Sequence, residues 1–144
     1  MIQRIQSLYL LLAAICSVAL MQMFYLWSNV SGASFYALDL FKESEFTLKV
    51  IPVLFVISGF MSIVSVFMFK QRKNQFVINR FNILVNFILL GILIYHLLTL
   101  SGESQISEKG IGAFLPIVVV VLLAIANRAI KKDEDLVKSV DRLR

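Results

Sequence analysis

Four long apolar blocks run along the chain, at residues 8–27, 52–69, 81–100 and 111–126, with short polar stretches between them. A helix needs about 20 mainly apolar residues, with about 17–25 usual, to cross a hydrocarbon core of about 30 Å. Three blocks meet that length directly. The fourth reaches it if Arg128 snorkels and Ile130 sits at the interface, which carries the span to 130. The β-branched run at 118–121 does not argue for a strand, because lipid forces the backbone to satisfy itself within a helix. The pattern predicts an all-α membrane protein with four transmembrane helices at about 8–27, 52–69, 81–100 and 111–130. They form one domain over 1–144.

The fourth block passes into charged sequence with no Gly or Pro between 117 and 144. One helix can therefore leave the membrane and continue as a cytoplasmic tail over 131–144. Leu136, Val140 and Leu143 recur there at helical spacing and are joined by Val137. Glu134 and Lys138 stand in the favoured acid-before-base order, adding a few tenths of a kcal/mol. The stripe is shorter than the three or four heptads of a coiled coil. It reads either as a docking helix for a protein partner or as a solvated stop-transfer tail.

The connecting segments refine this layout. Leu8 to Trp27 is longer than the ~7–15-residue core of a signal peptide, so it reads as a retained first span, with Tyr25 and Trp27 at its far interface. Ser31-Gly32-Ala33-Ser34 is a turn signal. Beyond it, period-two alternation on both sides of Lys42-Glu43-Ser44 predicts a small external β-hairpin over 35–50, against the alternative of an irregular loop. Pro52 suits the first turn of span two. Residues 70–75 form a basic turn and 101–110 a polar loop. Gly110, Gly112 and Pro116 open span four, where Pro116 implies a kink or an early start.

Candidate chemistry is sparse. Ser58, Ser62 and Ser65 recur along span two beside Gly59, a small face that lets another helix approach closely. Asn79, Asn82 and Asn86 share one face of span three, with Asn127 at similar depth on span four. Amides in hydrocarbon are costly unless paired, so these residues read as helix–helix packing contacts. A polar cavity for a ligand or ion is the competing reading. His96 has no acid beside it within any span and reads as structural or interfacial. The lone Cys16 reads as a packing residue, because one cysteine makes neither an intrachain disulfide nor a cysteine metal cluster. No HExxH, GxSxG or phosphate-binding glycine loop is present, and no membrane-embedded acid pair. The expectation is a protein that is no enzyme and uses no cofactor or metal. The composition, 59% hydrophobic and 16% charged with net charge +5, changes only the view of partners. The excess cations sit where topology needs them, so membrane lipid rather than nucleic acid is the expected contact.

Arg4, the group Lys70, Arg72, Lys73 and Arg80, and the group Arg128, Lys131, Lys132, Lys138, Arg142 and Arg144 fall on one side of the layout. Only Lys42, Lys49 and Lys109 fall on the other. The positive-inside rule then places both termini and the 70–80 loop in the cytoplasm. Lys70, Arg72, Lys73, Arg128, Lys131 and Lys132 are the residues expected to set this topology.

Two stretches also carry a resemblance. The opening Met1-Ile2-Gln3-Arg4-Ile5-Gln6 with Tyr9-Leu10-Leu11-Leu12-Ala13, and the closing run from Asn127 to Arg144, resemble a family of small four-span membrane proteins of Bacteroidota catalogued as a domain of unknown function. Arg80-Phe81-Asn82-Ile83-Leu84 is similar to the same family. The resemblance implies a multi-pass protein of the bacterial inner membrane and carries over no catalytic residues. The resulting expectation is a non-enzymatic accessory or structural subunit of a larger inner-membrane complex, with protein export or insertion machinery as the host class. A small oligomeric transporter or channel, or a lipid-binding protein using Lys70, Arg72 and Lys73, is the alternative. Reporter fusions after Arg72 and Arg144 should read cytoplasmic and one after Glu43 external; an external reading at Arg144 would overturn the orientation.

Overall fold

The computed structural model describes residues 2–102 and 106–142, with side chains at 5–99, 109–140 and 142. Helix α1 (Ile2–Val18) pauses at Ala19 and resumes as the single turn α2 (Leu20–Met23). Helices α3 (Phe46–Phe67), α4 (Arg72–Gly102) and α5 (Leu115–Asp141) follow. Four segments are long and apolar enough to cross a membrane: Ile5–Met23, Phe46–Phe67, Arg72–Thr99 and Ile111–Val140. The helices alternate in direction. α1 packs against α3 and α5, and α4 packs against the same two, closing a four-membered ring. One end of the bundle carries the start of α1, the 68–71 turn and the projecting end of α5. We refer to it as the basic end.

The helix boundaries differ from the sequence expectation in instructive ways. Span one stops at Met23, and Trp27 lies in a strand rather than at a helix end. Trp27 is buried and stacks on Phe35 with ring centroids 6.0 Å apart. α3 begins at Phe46, six residues before Pro52. Pro52 therefore falls in the second turn, where the carbonyl of Leu48 loses the amide that would normally reach it. α4 begins at Arg72, so most of the expected basic turn is helical. Pro116 occupies the first turn of α5, as an early start requires, after a 3-10 turn at Ile111–Phe114.

The hairpin expectation needs correction as to place. Residues Ala37–Lys42 form a 3-10 turn, and the stretch from Phe46 is helical. Period two would have put Phe46, Leu48 and Val50 on one face, but Phe46 is 79% exposed. The buried set is Leu48, Ile51 and Phe55, at helical spacing, and their packing decides against the strand. The observed hairpin lies earlier, between β1 (Trp27–Asn29) and β2 (Ser34–Phe35). Its turn is the predicted 31–34 signal, with Gly32 at φ 81°, a backbone region that costs glycine little. A third strand, β3 (Ile106–Lys109), comes from the 101–110 loop and pairs antiparallel with β1, giving the order β2-β1-β3. The sheet thus ties the loop after α2 to the loop after α4.

Two apolar clusters flank the middle of the bundle. Met21, Leu26, Trp27, Ile51, Phe55, Leu89 and Leu93 fill the half beneath the sheet. Leu10, Ala13, Val119, Leu123 and Ala126 join α1 to α5, with Cys16 packed against them. Lipid is as apolar as leucine, so close packing rather than water exclusion holds the membrane helices together. Gly59 marks such an approach: a Cβ there would collide with Val18 of α1. Gly110 and Gly112 mark another, since their amides donate to Leu26 O (2.8 Å) and Tyr25 O (3.0 Å). A Cβ at Gly110 would overlap the Tyr25 carbonyl.

Glycine substitutions should separate these contacts. Gly110→Ala must move backbone and should cost about 1–3 kcal/mol. Gly91 has open space around it, so Gly91→Ala should be neutral or stabilise α4 by up to about 1 kcal/mol. Thermal-aggregation midpoints in detergent would test the contrast, and equal midpoints would contradict it.

Candidate functional site

The sequence-predicted packing residues converge. Ser58, Ser62 and Ser65 of α3, Asn79, Asn82 and Asn86 of α4 and Asn127 of α5 are all buried. They form a hydrogen-bonded seam. Asn79 Nδ2 donates to Asn127 Oδ1 (3.0 Å), and Ser65 Oγ donates to Asn79 Oδ1 (2.7 Å). Asn82 Nδ2 donates to Ser58 O (2.9 Å) and Ser62 Oγ (2.8 Å). Asn86 Nδ2 lies 2.7 Å from Ser58 Oγ and 3.0 Å from Asn82 Oδ1. Gly59 serves the α1–α3 contact and takes no part in the seam's side-chain bonding.

Proton counting gives part of the seam a direction. Ser17 Oγ donates its only proton to Ala13 O at 2.9 Å. In the 3.2 Å contact between Ser17 and Ser58, Ser58 must therefore be the donor. The chain runs from the Asn86 amide through Ser58 and Ser17 to a carbonyl of α1, and each bond polarises the next. Asn82 and Asn86 thereby reach α3 and, through Ser58, α1, whereas Asn127 is met by Asn79.

Three members lay outside the sequence prediction. Gln6 Nε2 donates to Ala129 O (3.1 Å), joining α1 to α5. Gln75 Nε2 donates to Ser65 O (3.0 Å), joining α4 to α3. Ser17 is the third. Gln75 precedes Asn79 by one turn, so the asparagine periodicity could have found it. Gln6 belongs to the polar start of α1 and Ser17 is a single polar residue in its apolar run, and the sequence gives no spacing signal for either. From Gln75 to Asn86 the seam rises about 16 Å, roughly half the hydrocarbon thickness. Two amide oxygens, Gln75 Oε1 and Asn86 Oδ1, have no partner among the described residues.

At the sheet end, His96 is buried, with Nδ1 4.0 Å from Glu45 Oε2. The acid lies just before α3 and not within a span, so the spans alone did not disclose it. Gln22 Oε1 accepts the amide of Leu38 at 3.4 Å and so faces the 3-10 turn. Among the described residues, no three His, Cys, Asp or Glu side chains gather as metal ligands do.

At the basic end, α5 continues unbroken past the bundle. The 30-residue apolar-to-charged segment Ile111–Val140 is about 45 Å long, against a core of about 30 Å. Its charged end therefore projects beyond the core. Arg72 at the start of α4 holds Asp133 with Nη2 3.1 Å from Oδ2, an ion pair that is not aligned as a hydrogen bond. Glu134 accepts from Lys138 at 2.8 Å, and that bond holds the Glu134 carboxyl below its usual range. Phe69, Lys70, Arg72, Lys73, Glu134 and Val137 line an open hollow of about 640 Å³. Of the expected docking stripe, Leu136 is 47% and Val140 62% exposed. Leu143 lies outside the described residues. Of the expected topology-setting cations, Arg72 alone is in an ion pair among the described residues; Lys70 stands 6.0 Å from the Phe69 ring centroid. Arg128, Lys131 and Lys132 share one exposed hollow on α5.

A double-mutant cycle would measure the seam. Asn79→Leu and Asn127→Leu should couple by about 0.6 kcal/mol, with roughly 1.7 kcal/mol as the upper end. Additive losses in detergent stability would mean that the 3.0 Å contact contributes nothing. Asn86→Leu should cost a similar amount. A variant as stable as the parent that nevertheless fails in cells would favour a ligand site instead.

The match to known proteins is to a family alone. The family model of a domain of unknown function (DUF4293) matches residues 2–143, and the chain belongs to that family. No curated protein and no solved structure matches.

Proposed function

We propose that this member of the DUF4293 family is a non-enzymatic accessory or structural subunit of a larger complex in the inner membrane of a bacterium of the Bacteroidota. Its basic end faces the cytoplasm, and the projecting end of α5 docks a protein partner. The observation that carries this reading is the exposed apolar stripe on a helix that the bundle positions but does not cover. The span anchors one end of this helix, and the Arg72–Asp133 pair steadies the segment beyond it. A preformed helix loses less entropy on docking than a disordered tail would. Burying one leucine is worth about 1.5–3 kcal/mol, whereas exposed salt pairs contribute under about 1 kcal/mol each.

The seam favours a structural role over transport, because its amides and hydroxyls are largely bonded to one another across helices. Protein export or insertion machinery is the host class we favour, on size, four-span layout and the cytoplasmic helix.

Crosslinking from successive tail positions, in membranes, tests the reading. Capture should peak at positions flanking Leu136 and Val140. Leu136→Asp with Val140→Asp should release the partner while insertion stays intact, and reversing Glu134 and Lys138 together should do little. Uniform capture along the tail, or none, would leave a solvated stop-transfer segment. Recovery without a stoichiometric partner under mild extraction would count against the subunit role.

A further inference from the structure

We infer that the groove between α4 and α5 at the basic end binds the phosphate of an anionic phospholipid, through Arg80, Arg128 and Lys131 with Lys132 at the rim. The seam itself fixes the level of this site. The Asn79–Asn127 hydrogen bond puts the two antiparallel helices in register. Arg80 and Arg128 each follow one residue later, so their backbones lie about 1.5 Å either side of that level. The Arg80 guanidinium turns back over the Phe76 ring, 4.4 Å from its centroid. Phe76 is one turn nearer the basic end, so the charge snorkels toward water. Lys131 joins it across the groove: Phe76, Arg80, Lys131, Glu134, Asp135 and Lys138 line a hollow of about 230 Å³. Arg128, Lys131 and Lys132 share the adjoining hollow on α5, together with Asp135.

These cations are available. Among the described residues, no carboxylate makes an ion pair with Arg80, Arg128, Lys131 or Lys132. The nearby Glu134 is held by Lys138, which leaves Asp135 as the one acid lining the hollows without an ion pair. The 70–73 turn, which the sequence suggested for headgroups, is less suited. Arg72 is held by Asp133, and Lys70 and Lys73 line neither of these hollows.

On the other side of this level, the exposed surface is hydrocarbon. Every exposed residue from 81 to 94 on α4 and from 117 to 125 on α5 is apolar or glycine. Phe81, Leu84 and Phe87 on α4 and Val121 and Ile125 on α5 supply that flank. A cationic groove directly above an apolar flank matches an anionic headgroup above acyl chains, and a soluble anion would have no use for the flank. Leu136 also lines the α5 hollow, so a partner docked on the end of α5 and the lipid would meet there, and the titration uses the chain alone.

The full chain in detergent, titrated with phosphatidylglycerol or with phosphatidylcholine of the same acyl chains and read by native mass spectrometry, tests it. Phosphatidylglycerol should bind preferentially. Arg128→Gln with Lys131→Gln should weaken that binding by about fivefold per lost cation, whereas Lys70→Gln with Lys73→Gln should stay close to the parent. Equal binding of the two lipids, or equal loss in both double variants, would overturn the inference. Displacement by inorganic phosphate would identify a soluble-anion site and overturn it too. If the Arg128/Lys131 variant does not fold, the parent still decides. Phosphatidylglycerol with a photoreactive acyl chain should label residues 81–88 and 121–125, and even labelling of all four helices would count as refutation.

Discussion

An amide side chain that water does not reach must find its hydrogen bonds within the protein, and Asn79, Asn82 and Asn86 impose that requirement on three helices at once. An unmade bond of this kind costs about 1–3 kcal/mol when buried, several times the average gain from a made one in a membrane. The seam therefore acts more by penalising wrong arrangements than by rewarding the right one. Sliding α4 along α3 by one turn would leave one asparagine at the end of the series facing no serine of α3 and would part Asn79 from Asn127. Apolar packing offers no comparable penalty, because leucine against leucine and leucine against lipid differ little. Register is thus set by a few polar atoms within a mostly hydrocarbon structure.

That register carries through to both ends. Toward the sheet, the apolar cluster around Phe55 and Leu93 gives way to β1, β2 and β3, which join two loops far apart in sequence. Toward the basic end, the Asn79–Asn127 pair aligns α4 with α5, so Arg80 and Arg128 reach a common level and Arg72 reaches Asp133. Surfaces open to a partner or a lipid are placed by contacts that no partner touches. The bundle's buried polar atoms are largely bonded to one another, and the exposed Leu136 and Val140 lie at the basic end together with Arg80, Arg128, Lys131 and Lys132.

Some of this was legible beforehand. The asparagine series announced its own face, because three residues so costly to leave in lipid, at helical spacing in an apolar block, must turn together toward protein. Gln75 belonged to the same series and was hidden by its place in a stretch that reads as a basic turn. The 35–50 stretch misled because Phe46, Leu48 and Val50 alternate as a strand would. Leu48, Ile51 and Phe55 also recur as a helix does, and a short segment cannot choose between the periods without something to pack against. The acid that meets His96 was missed because Glu45 precedes α3 outside any span.

Length and hydropathy determined that four helices are long and apolar enough to cross a membrane, because the thickness of lipid and the need to satisfy the backbone act on each segment separately. The absence of Gly and Pro after 117 likewise determined that α5 runs on past its span. The tertiary structure decided which hydroxyl meets which amide, that β3 pairs with β1, and that Arg72 faces Asp133 while Arg128 and Lys131 make no ion pair among the described residues. Those outcomes depend on the relative position of segments tens of residues apart. A periodicity reports the face a helix presents, but not the neighbour that meets it or the height at which they meet.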